Sequence, residues 1–514
     1  MQRFYLLLIL WICAAESLPC VPRDFGNGGT VCVCNATYCD STPELEIPEI
    51  GSFVRYVSSR DGLRLDPTEG AFTNESATAD VTLRLDLNTT FQTIHGFGGA
   101  FTDAAGINIK LLSNATADYI LRSYFGEEGS RYNLGRVPIG GSDFSTRVYT
   151  YDDTQSADTQ LHNFSLAEED IKYKIPLMQE ALRMNRDLRF FASAWTAPPW
   201  MKTNNDYTGF GFLLEEYYQV YAEYTVKFMD EYKSYGLKMW AMTTGNEPSL
   251  GIIPMSSINC MGWTPSGMGK WVAENLGPTM SKSEHKDTII LAFDDQKFGL
   301  PWYVSDMFSN KVAKNYTAGI AFHWYWDSIV PSWVIDRTHY HFPEKFLIMT
   351  EASVVETPSI RTGDKPWQFN KVPLGSWERG EMYITDIMDN LQHWVTGWVD
   401  WNLALNHHGG PNWRSNFVDS AIIVNAENDE FYKQPMFYGL AHFSKFIPRG
   451  SVRLKLSQEG SSTIAVAFKT PDNKIVIVLY NTLTENQHAV IRDQERGIID
   501  LQLPPKSIHT IMYK

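Results

Sequence analysis

Apolar and polar residues alternate near both ends of the chain, with the period of two that half-buried strands have. Phe53–Ser58 and Val81–Leu87 follow this pattern near the N-terminus. Near the C-terminus, two similar runs flank the turn-rich Pro471–Lys474, which predicts a hairpin. We therefore expect residues 20–90 and 449–514 to be mainly β structure.

The middle of the chain alternates short apolar runs with stretches of helical periodicity. The clearest predicted helix is Leu213–Tyr235, in which Tyr221, Tyr224 and Phe228 recur at helical spacing, and a second surrounds Ile384–Leu391. The predicted strands are Phe91–Gly96, Tyr132–Val137, Leu188–Trp195, Lys238–Thr244, Thr288–Phe293, Gly319–Trp324, Lys345–Thr350 and Thr396–Trp401. Alternating strands and helices imply a parallel sheet, and eight such units fit a (β/α)8 barrel. A doubly wound open sheet is the alternative, but no G-x-G-x-x-G follows a strand.

Composition narrows the class of protein. The 514 residues are 44% hydrophobic and 20% charged, which is normal for a soluble globular chain. The net charge of −15 argues against nucleic acid, which attracts basic surfaces. Protonation of all 12 histidines would change −15 to −3, so an acidic compartment would relieve most of the self-repulsion.

The N-terminus has the pattern of a signal peptide. Arg3 precedes the apolar run Tyr5–Cys13, and small residues follow near a cleavage site placed between about Ala15 and Pro19. A buried N-terminal helix is the alternative interpretation. No later stretch reaches the ~18 apolar residues of a membrane span.

Cysteines and sequons agree with export. Four clustered cysteines predict two disulfides with three possible pairings, and a zinc site is the less favoured alternative: Cys20, Cys32, Cys34 and Cys39. Cys260 should be a free thiol. Six N-x-S/T sequons predict a glycoprotein, at Asn35, Asn74, Asn88, Asn114, Asn163 and Asn315.

Two glutamates stand at the ends of predicted strands on opposite sides of the barrel. Glu247 follows the fourth strand and Glu351 ends the seventh. Since parallel strands place their C-terminal ends at one face, both carboxyl groups should meet there. Such a pair suits glycoside hydrolysis, in which one acid protonates the leaving oxygen and the other carboxylate attacks the anomeric carbon. No cofactor is implied, and a metal site at His407-His408 lacks a third ligand.

Longer motifs carry a specific resemblance. Asn246-Glu247-Pro248 with a glutamate ending strand seven looks like the superfamily of retaining glycosidase barrels. Five further segments resemble the animal lysosomal glucosylceramidases, also called acid β-glucosidases or glucocerebrosidases: 33–40, 96–103, 161–165, 400–406 and 431–437. The similarity runs from Cys20 to the C-terminus. It implies hydrolysis of the β-glucosidic bond of glucosylceramide to glucose and ceramide by a retaining double displacement.

The resemblance also implies roles for single residues. Glu247 matches the acid/base, Glu351 the nucleophile and Asn246 the group that binds the sugar 2-hydroxyl. The matched glucose-pocket residues are Asp143, Trp195, Trp401 and Asn416. The matched groups around the nucleophile are Arg136, His323 and Tyr325. Physically, Arg136 would hold Glu351 ionised, and Tyr325 could donate a hydrogen bond to it.

Domains and partners follow from the same resemblance. After the signal peptide at 1–19 that the N-terminal pattern predicts, it implies a small antiparallel β domain at 20–45 plus about 403–434, a β-sandwich at 46–90 plus 449–514, and the barrel at 91–402 plus about 435–448. It pairs Cys20 with Cys32 and Cys34 with Cys39. The expected partners are an anionic phospholipid surface, a saposin-type activator and a lysosomal sorting receptor. The expected location is the lysosomal lumen, with secretion as the alternative.

Four features depart from the vertebrate pattern, and one of them leaves the substrate open. Gly245 precedes Asn246, and Ser142 and Ser353 stand where the vertebrate enzymes have cysteine. The segment Thr357–Val372 is longer and more polar than its counterpart, which leaves the aglycone preference open. The alternatives are a β-glycosidase acting on another β-glucoside and a non-catalytic glycolipid-binding relative. The presence of both glutamates and Asn246 favours an active enzyme.

Overall fold

The computed structural model describes residues 17–45, 48–74, 78–355 and 371–514. The apolar run Tyr5–Cys13 of the predicted signal peptide and nearly all of the segment Thr357–Val372 lie outside the described residues.

The elements are numbered in chain order. The strands are β1 Pro22–Asp24, β2 Thr30–Asn35, β3 Ser52–Ser59, β4 Asp66–Ala71, β5 Val81–Thr93, β6 Gly96–Ala100, β7 Leu134–Ile139, β8 Arg189–Ala194, β9 Met239–Thr243, β10 Ile289–Gln296, β11 Thr317–His323, β12 Phe346–Glu351, β13 Val395–Asn402, β14 Leu405–Asn406, β15 Ile422–Asn425, β16 Glu430–Lys433, β17 Val452–Glu459, β18 Thr463–Lys469, β19 Ile475–Asn481, β20 Gln487–Asp493, β21 Gly497–Leu503 and β22 Ser507–Tyr513. The α-helices are α1 Asp103–Lys110, α2 Asn114–Phe125, α3 Ile175–Met184, α4 Tyr218–Ser234, α5 Pro265–Trp271, α6 Gly277–Lys282, α7 Trp302–Met307, α8 Lys311–Tyr316, α9 Trp333–His341, α10 Trp377–Gln392 and α11 Pro435–Ser444.

Strands β6 to β13 form a closed parallel barrel, as the sequence predicts. Each strand pairs with its neighbours in chain order, and β13 closes the barrel against β6. Apolar side chains from seven of the strands form one buried cluster, in the manner of a filled barrel interior: Leu134, Phe191, Ala241, Leu291, Ala321, Ile348 and Val399.

The first predicted barrel strand, Phe91–Gly96, is wrong. Residues up to Thr93 extend β5, whose alternating pattern belongs to the other sheet, and the barrel strand is Gly96–Ala100. The predicted strand ended at Gly96 and so did not include Gly98 and Gly99. They are strand residues because the neighbouring chains leave no space for a side chain: a Cβ on Gly98 would lie 1.8 Å from the Leu134 carbonyl oxygen.

The two clearest predicted helices are present. Helix α4 begins at Tyr218, a few residues after the predicted start, and buries Tyr221, Tyr224 and Phe228. Helix α10 buries Ile384, Ile387, Met388 and Leu391. Both helices bury one apolar face, which is why helical periodicity identified them.

A five-stranded sheet in the order β1-β2-β16-β15-β14 joins the N-terminal cysteine region to residues 405–433. The disulfides Cys20–Cys32 and Cys34–Cys39 are both present, and Cys260 is a buried free thiol. The pairing that the family resemblance implies is therefore confirmed.

A nine-stranded sheet in the order β21-β20-β5-β17-β18-β19-β22-β3-β4 combines strands from both ends of the chain. Strands β18 and β19 form the predicted hairpin. β5 lies between β20 and β17, parallel to the first and antiparallel to the second. The domain boundaries given above stay a prediction.

Surface features complete the fold. Five of the sequon asparagines are exposed, while Asn35 is half-buried, and occupancy at all six stays a prediction. In the part of the chain that the structure describes, no helix is long and apolar enough to cross a membrane.

Candidate active site

A cleft of about 780 Å³ opens at the C-terminal ends of the barrel strands. Eight of the ten predicted catalytic, sugar-binding and supporting residues line it: Asp143, Trp195, Asn246, Glu247, Tyr325, Glu351, Trp401 and Asn416. Arg136 and His323 are fully buried behind the cleft wall. The sequence therefore identified groups that the fold brings together from six different strands.

Glu247 follows β9 in a strained turn. Its φ of 43° lies in the left-handed region, and its backbone N–H donates to the carbonyl of Asp294 at 2.9 Å. Oε1 of Glu247 accepts from the Gln296 amide at 2.5 Å and faces His323 Nδ1 at 2.9 Å. Two partners on Oε1 leave Oε2 as the atom that can carry a proton into the cleft.

Glu351 ends β12 and has a partner on each oxygen. Arg136 donates to Oε2, and the Tyr325 hydroxyl donates to Oε1 at 2.7 Å. Burial raises the pKa of Glu351 above its ordinary value, and the lowering influence of Arg136 and His323 does not fully offset it. Arg136 thus favours the ionised form of Glu351, as expected, but burial opposes it more strongly than the sequence indicated.

The two glutamates approach closely. One carboxylate oxygen of Glu247, one of Glu351 and a ring nitrogen of His323 all lie within 4.8 Å of one another. Retaining glycosidases hold their carboxyl groups about 5–5.5 Å apart, and inverting enzymes hold them about 6.5–9.5 Å apart to admit a water. The separation therefore fits direct attack on the sugar. Both ring nitrogens of His323 face carboxylates, which leaves none for a metal ion.

Asp294 lies at the centre of the buried network. It accepts from Arg136 Nη2 at 3.0 Å, from Ser193 at 2.7 Å and from Thr350 at 2.6 Å, and it faces His323 Nε2 at 3.1 Å. Burial acts to raise the pKa of Asp294, but Arg136 and His323 hold it well below its usual range. Asp294 is therefore a permanent anion that aligns both cations.

His323 is correspondingly held as a cation. Burial acts to lower its pKa, but the carboxylates of Glu351 and Asp294 raise it to about 10. Protonated on both nitrogens, His323 donates to Glu247 on one side and to Asp294 on the other. His323 thereby connects the carboxylate of Glu247, which follows β9, to that of Asp294, which lies near the end of β10.

Tryptophans form one wall of the cleft. The rings of Trp195 and Trp401 stack with centroids 5.1 Å apart, and the Arg136 guanidinium lies 4.9 Å and 5.2 Å from the two ring centroids. Cation–π contact of this kind helps to hold a buried guanidinium in place. The aromatic wall also offers an apolar face of the type on which a sugar ring packs.

Asp143 lies in the same cleft, in contact with a neighbouring loop. Its Oδ2 accepts from Asn416 at 2.9 Å and from Asn412 at 3.3 Å. Burial raises the pKa of Asp143 to about 7, although the hydrogen bond from Asn416 acts to lower it. A bound ligand with hydroxyl groups could replace the lost hydration of this carboxyl group.

Two important residues were missed by sequence analysis. Asp294 and Gln296 end β10, but the predicted strand stopped at Phe293 and no polar group was assigned to its end. The signal was present as Asp-Asp-Gln directly after an apolar run. The outer cleft also contains Trp326, which sequence analysis did not single out for the site, and Asp386, from a helix that was predicted only for its apolar face.

The closed barrel, the paired carboxylates and the aromatic wall define a glycoside hydrolase. Family descriptions agree: the glycosyl hydrolase family 30 TIM-barrel domain matches residues 94–447, and the family 30 beta sandwich domain matches residues 450–511. The chain belongs to glycosyl hydrolase family 30.

Individual relatives extend over nearly the whole chain. The lysosomal acid glucosylceramidase of Mus musculus is 44% identical over 99% of this chain and 98% of its own length. Among solved structures, SrfJ from Salmonella typhimurium superposes with a TM-score of 0.82 at 27% identity, covering 90% of this chain and 99% of that one. The endo-beta1,6-glucanase BT3312 superposes with a TM-score of 0.77 at 25% identity, again over 90% of this chain and 99% of that one.

Proposed function

We propose that the chain hydrolyses the β-glucosidic bond of glucosylceramide with retention of configuration, with Glu351 as nucleophile and Glu247 as acid/base. The observation that carries this proposal is the approach of the two carboxylates within 4.8 Å in one cleft. The substrate is inferred from the mouse relative, whose identity of 44% extends over the barrel and the sandwich.

In the first step, a carboxylate oxygen of Glu351 attacks the anomeric carbon. The bond from that carbon to the glycosidic oxygen breaks, and Glu247 gives its proton to the departing oxygen. The free Oε2 of Glu247 is the atom suited to this transfer, because Oε1 is held by Gln296 and His323. The products are ceramide and a glucosyl ester of Glu351.

In the second step, Glu247 is a carboxylate and acts as the base. It removes a proton from a water molecule as that water attacks the anomeric carbon, and the ester bond to Glu351 breaks. Arg136 and Tyr325 stabilise the departing carboxylate. Glucose leaves with its original configuration, because two inversions have occurred.

The remaining cleft residues position the sugar. Asn246 accepts from Arg136 through Oδ1, at 2.7 Å, so that its amide nitrogen is oriented to donate to the 2-hydroxyl. Asp143 and Asn416 offer an acceptor and a donor to hydroxyls further round the ring. Trp195 and Trp401 supply the apolar surface.

Alanine variants of the two glutamates test the assignment. Glu247→Ala should form the glucosyl-enzyme with an activated aryl β-glucoside, which needs no acid, and should then stall until azide releases β-glucosyl azide. Glu351→Ala should lose all hydrolysis, and azide should yield at most the α-product. A 2-fluoro glucoside inactivator should label the peptide that contains Glu351, as mass spectrometry would show.

Glu427→Ala, which removes an exposed glutamate outside the cleft, is the matched control and should retain activity. A label on the Glu247 peptide, or inversion by the unmodified enzyme, would overturn the assignment.

Gentiobiose, a β-1,6-linked disaccharide, should be a poorer substrate than short-chain glucosylceramide. A preference for gentiobiose would instead indicate a β-1,6-glucanase activity, like that of the BT3312 relative.

Exposed apolar side chains follow the barrel strands near the cleft, and three of them, Trp326, Val355 and Met382, line the cleft itself. This supports a membrane-bound substrate. These side chains lie on the loops and helices that follow the barrel strands and are called the apolar rim: Ile252, Ile253, Met255, Phe298, Trp302, Trp326, Ile329, Trp333, Val355 and Met382. Met255 is 88% exposed and Ile329 is 67% exposed. Apolar patches of this kind mark partner or membrane surfaces. We propose that the rim contacts an anionic phospholipid surface in the lysosomal lumen, assisted by a saposin-type activator.

A charged side chain on the apolar rim should weaken membrane contact without changing the hydrolysis of a soluble substrate. Met255→Asp should lower activity on glucosylceramide in anionic vesicles by roughly tenfold, since each lost apolar contact of about 1.4 kcal/mol corresponds to that factor. Hydrolysis of a soluble aryl β-glucoside should be unchanged. Leu111→Asp, at an exposed apolar residue directly after α1, is the control. Equal losses for both variants would refute the role of the rim.

A further inference from the structure

A second large cavity, about 750 Å³, lies at the opposite end of the barrel from the catalytic cleft. It is lined by the start of β8, by the residues that follow α11 and by the hairpin loop Thr470–Lys474 of the nine-stranded sheet. The cavity therefore lies where the N-terminal ends of the barrel strands meet the sheet. No step of the proposed reaction uses it.

The cavity concentrates positive charge in a chain whose net charge is −15. Its basic side chains, called here the basic pocket, are Arg131, Arg186, Arg189, Lys445, Arg449 and Lys474. Its acidic side chains are Glu127, Asp187 and Asp472. Lys474 forms an ion pair with Asp472 at 2.7 Å. Among the described residues, the other five cations form no ion pair with a carboxylate within 4.0 Å.

Two of these cations are held by backbone carbonyls. The Lys445 ammonium, on a side chain only 2% exposed, donates to the carbonyls of Glu127 at 2.8 Å and Gly129 at 3.3 Å. The Arg449 guanidinium donates to the carbonyls of His95, Asp187 and Asn133 at 2.7–3.0 Å. Carbonyls satisfy the hydrogen bonds but leave the charge of each cation without a counter-ion.

Burial, together with repulsion from neighbouring cations, lowers the pKa of two cations of the basic pocket. Burial and the neighbouring Arg131 lower the pKa of Lys445 to about 7, against the opposing influence of Glu128, Glu127 and Glu44. Burial and Arg189 lower the pKa of Arg449 to about 10, although Asp187 acts to raise it. An anion in the pocket would reverse both effects.

We propose that the basic pocket binds a soluble oxyanion, such as phosphate, sulfate or a sugar that carries one of these groups. The guanidinium groups of Arg131 and Arg186 make no hydrogen bond or ion pair among the described residues, and an arginine fork matches two oxygens of such an anion. A bound dianion would connect residues of the barrel and of the hairpin loop, and would stabilise their junction.

The choice of a soluble anion over a lipid headgroup rests on the proposed function. The apolar rim follows the C-terminal ends of the barrel strands and includes three residues that line the cleft, whereas the basic pocket lies at the N-terminal ends. A protein that contacts a bilayer through the rim holds the pocket away from it. The existence of the anion site does not depend on this choice.

Binding should strengthen in acid. Because an anion favours the charged form of Lys445, affinity should rise as the pH falls through about 7. Sulfate is the suitable probe, since it remains a dianion throughout and any pH dependence belongs to the protein. Titration calorimetry at constant ionic strength should show binding at least about tenfold tighter at pH 5 than at pH 8, the change that one pKa unit of linkage gives.

Charge reversal at an exposed position provides the decisive variant. Arg186→Glu should weaken sulfate binding at least about tenfold and should abolish the rise in melting temperature that sulfate, compared with chloride, produces. Lys311→Glu makes the same charge change outside the pocket and should leave both unchanged. Both variants should retain hydrolysis of the aryl glucoside, so failure of the proposed function is detected separately.

The outcomes distinguish the sources of the anion. Saturable binding of sulfate and inorganic phosphate, lost only in Arg186→Glu, supports the proposal. Weaker binding of Arg186→Glu to phosphatidylserine vesicles, without any effect on sulfate, would assign the pocket to a membrane headgroup and overturn it. Absence of saturable sulfate binding at pH 5, or equal binding by the two variants, would overturn it as well.

Discussion

The site depends on single residues whose surroundings fix both position and charge. Asn246 and Glu247 were found because they carry a family motif, and Arg136 because the family resemblance extends to its position. Asp294 was missed, because its function depends on the cations it contacts across the barrel, and no sequence pattern records that distance. The sequence also could not show that burial dominates the ionisation of Glu351.

Removal of the charge on Asp294 should disturb the catalytic pair without touching the substrate. In Asp294→Asn, Arg136 and His323 lose their shared anion, and the pKa of His323 should fall because Asp294 is one of the groups that raise it. We expect kcat/KM for an aryl β-glucoside to fall roughly 10–100-fold, as for other residues that orient catalytic groups. The alkaline limb of the pH profile should move to lower pH.

The exposed Asp306→Asn is the control and should change neither quantity. A loss of activity in Asp294→Asn with an unshifted pH profile, at normal thermal stability, would show that Asp294 does not act through the charge of His323.

Individual elements were predicted where periodicity was strong. The barrel strands with apolar runs, helix α10 and the β18–β19 hairpin all lie close to their predicted positions. The exception is β6, in which Gly96, Gly98 and Gly99 replace the apolar run by which buried strands are recognised. These positions are glycine because the neighbouring strands leave no room for a side chain, and a single sequence does not show which strands will be neighbours.

Gly98 should therefore tolerate no side chain. A Cβ there would lie 1.8 Å from the carbonyl oxygen of Leu134 on β7, and backbone cannot move aside cheaply. Gly98→Ala should lower the free energy of unfolding by roughly 3 kcal/mol or more, or prevent folding. Chemical denaturation monitored by circular dichroism measures this.

Gly236→Ala is the matched comparison. Gly236 has a φ of +82° with open space around its Cβ position, so the substitution adds conformational strain alone and should cost about 1 kcal/mol. If the two variants were equally stable, the close approach of β6 and β7 would not be the reason for glycine at position 98.

Over the whole molecule, buried ionisable groups favour an acidic environment. Burial raises the pKa of several aspartates, to about 6 in Asp103, Asp295 and Asp386, to about 7 in Asp143 and Asp400, and to about 9 in Asp327. Histidines contribute less than their number suggests. Burial lowers the pKa of His95 to about 4 and of His442 to about 3, so these two side chains remain neutral at pH 5 and do not contribute positive charge there.

Stability should accordingly increase from pH 7.5 to pH 5.5. The folded state takes up protons on the raised aspartates in this window, whereas the unfolded chain, with ordinary aspartates near pH 4, does not. The buried histidines act oppositely below about pH 6.5, but they are fewer. We expect the free energy of unfolding to rise by about 1.4 kcal/mol or more, the equivalent of one pKa unit. Urea denaturation at the two pH values, at constant ionic strength, measures this. A lower stability at pH 5.5 would show that the histidines outweigh the aspartates.

The nine-stranded sheet sets the order in which a newly made chain can mature. Strand β5 pairs with β17 and β20, and β3 pairs with β22. These N-terminal strands are therefore synthesised hundreds of residues before the strands they pair with. Such distant pairings form slowly and leave strand edges open to aggregation. A premature stop just before Ser507 would spare every residue of the catalytic cleft and still leave β3 and β19 without the strand that lies between them. A chain with every catalytic residue in place should therefore still misfold and be degraded if β22 is missing.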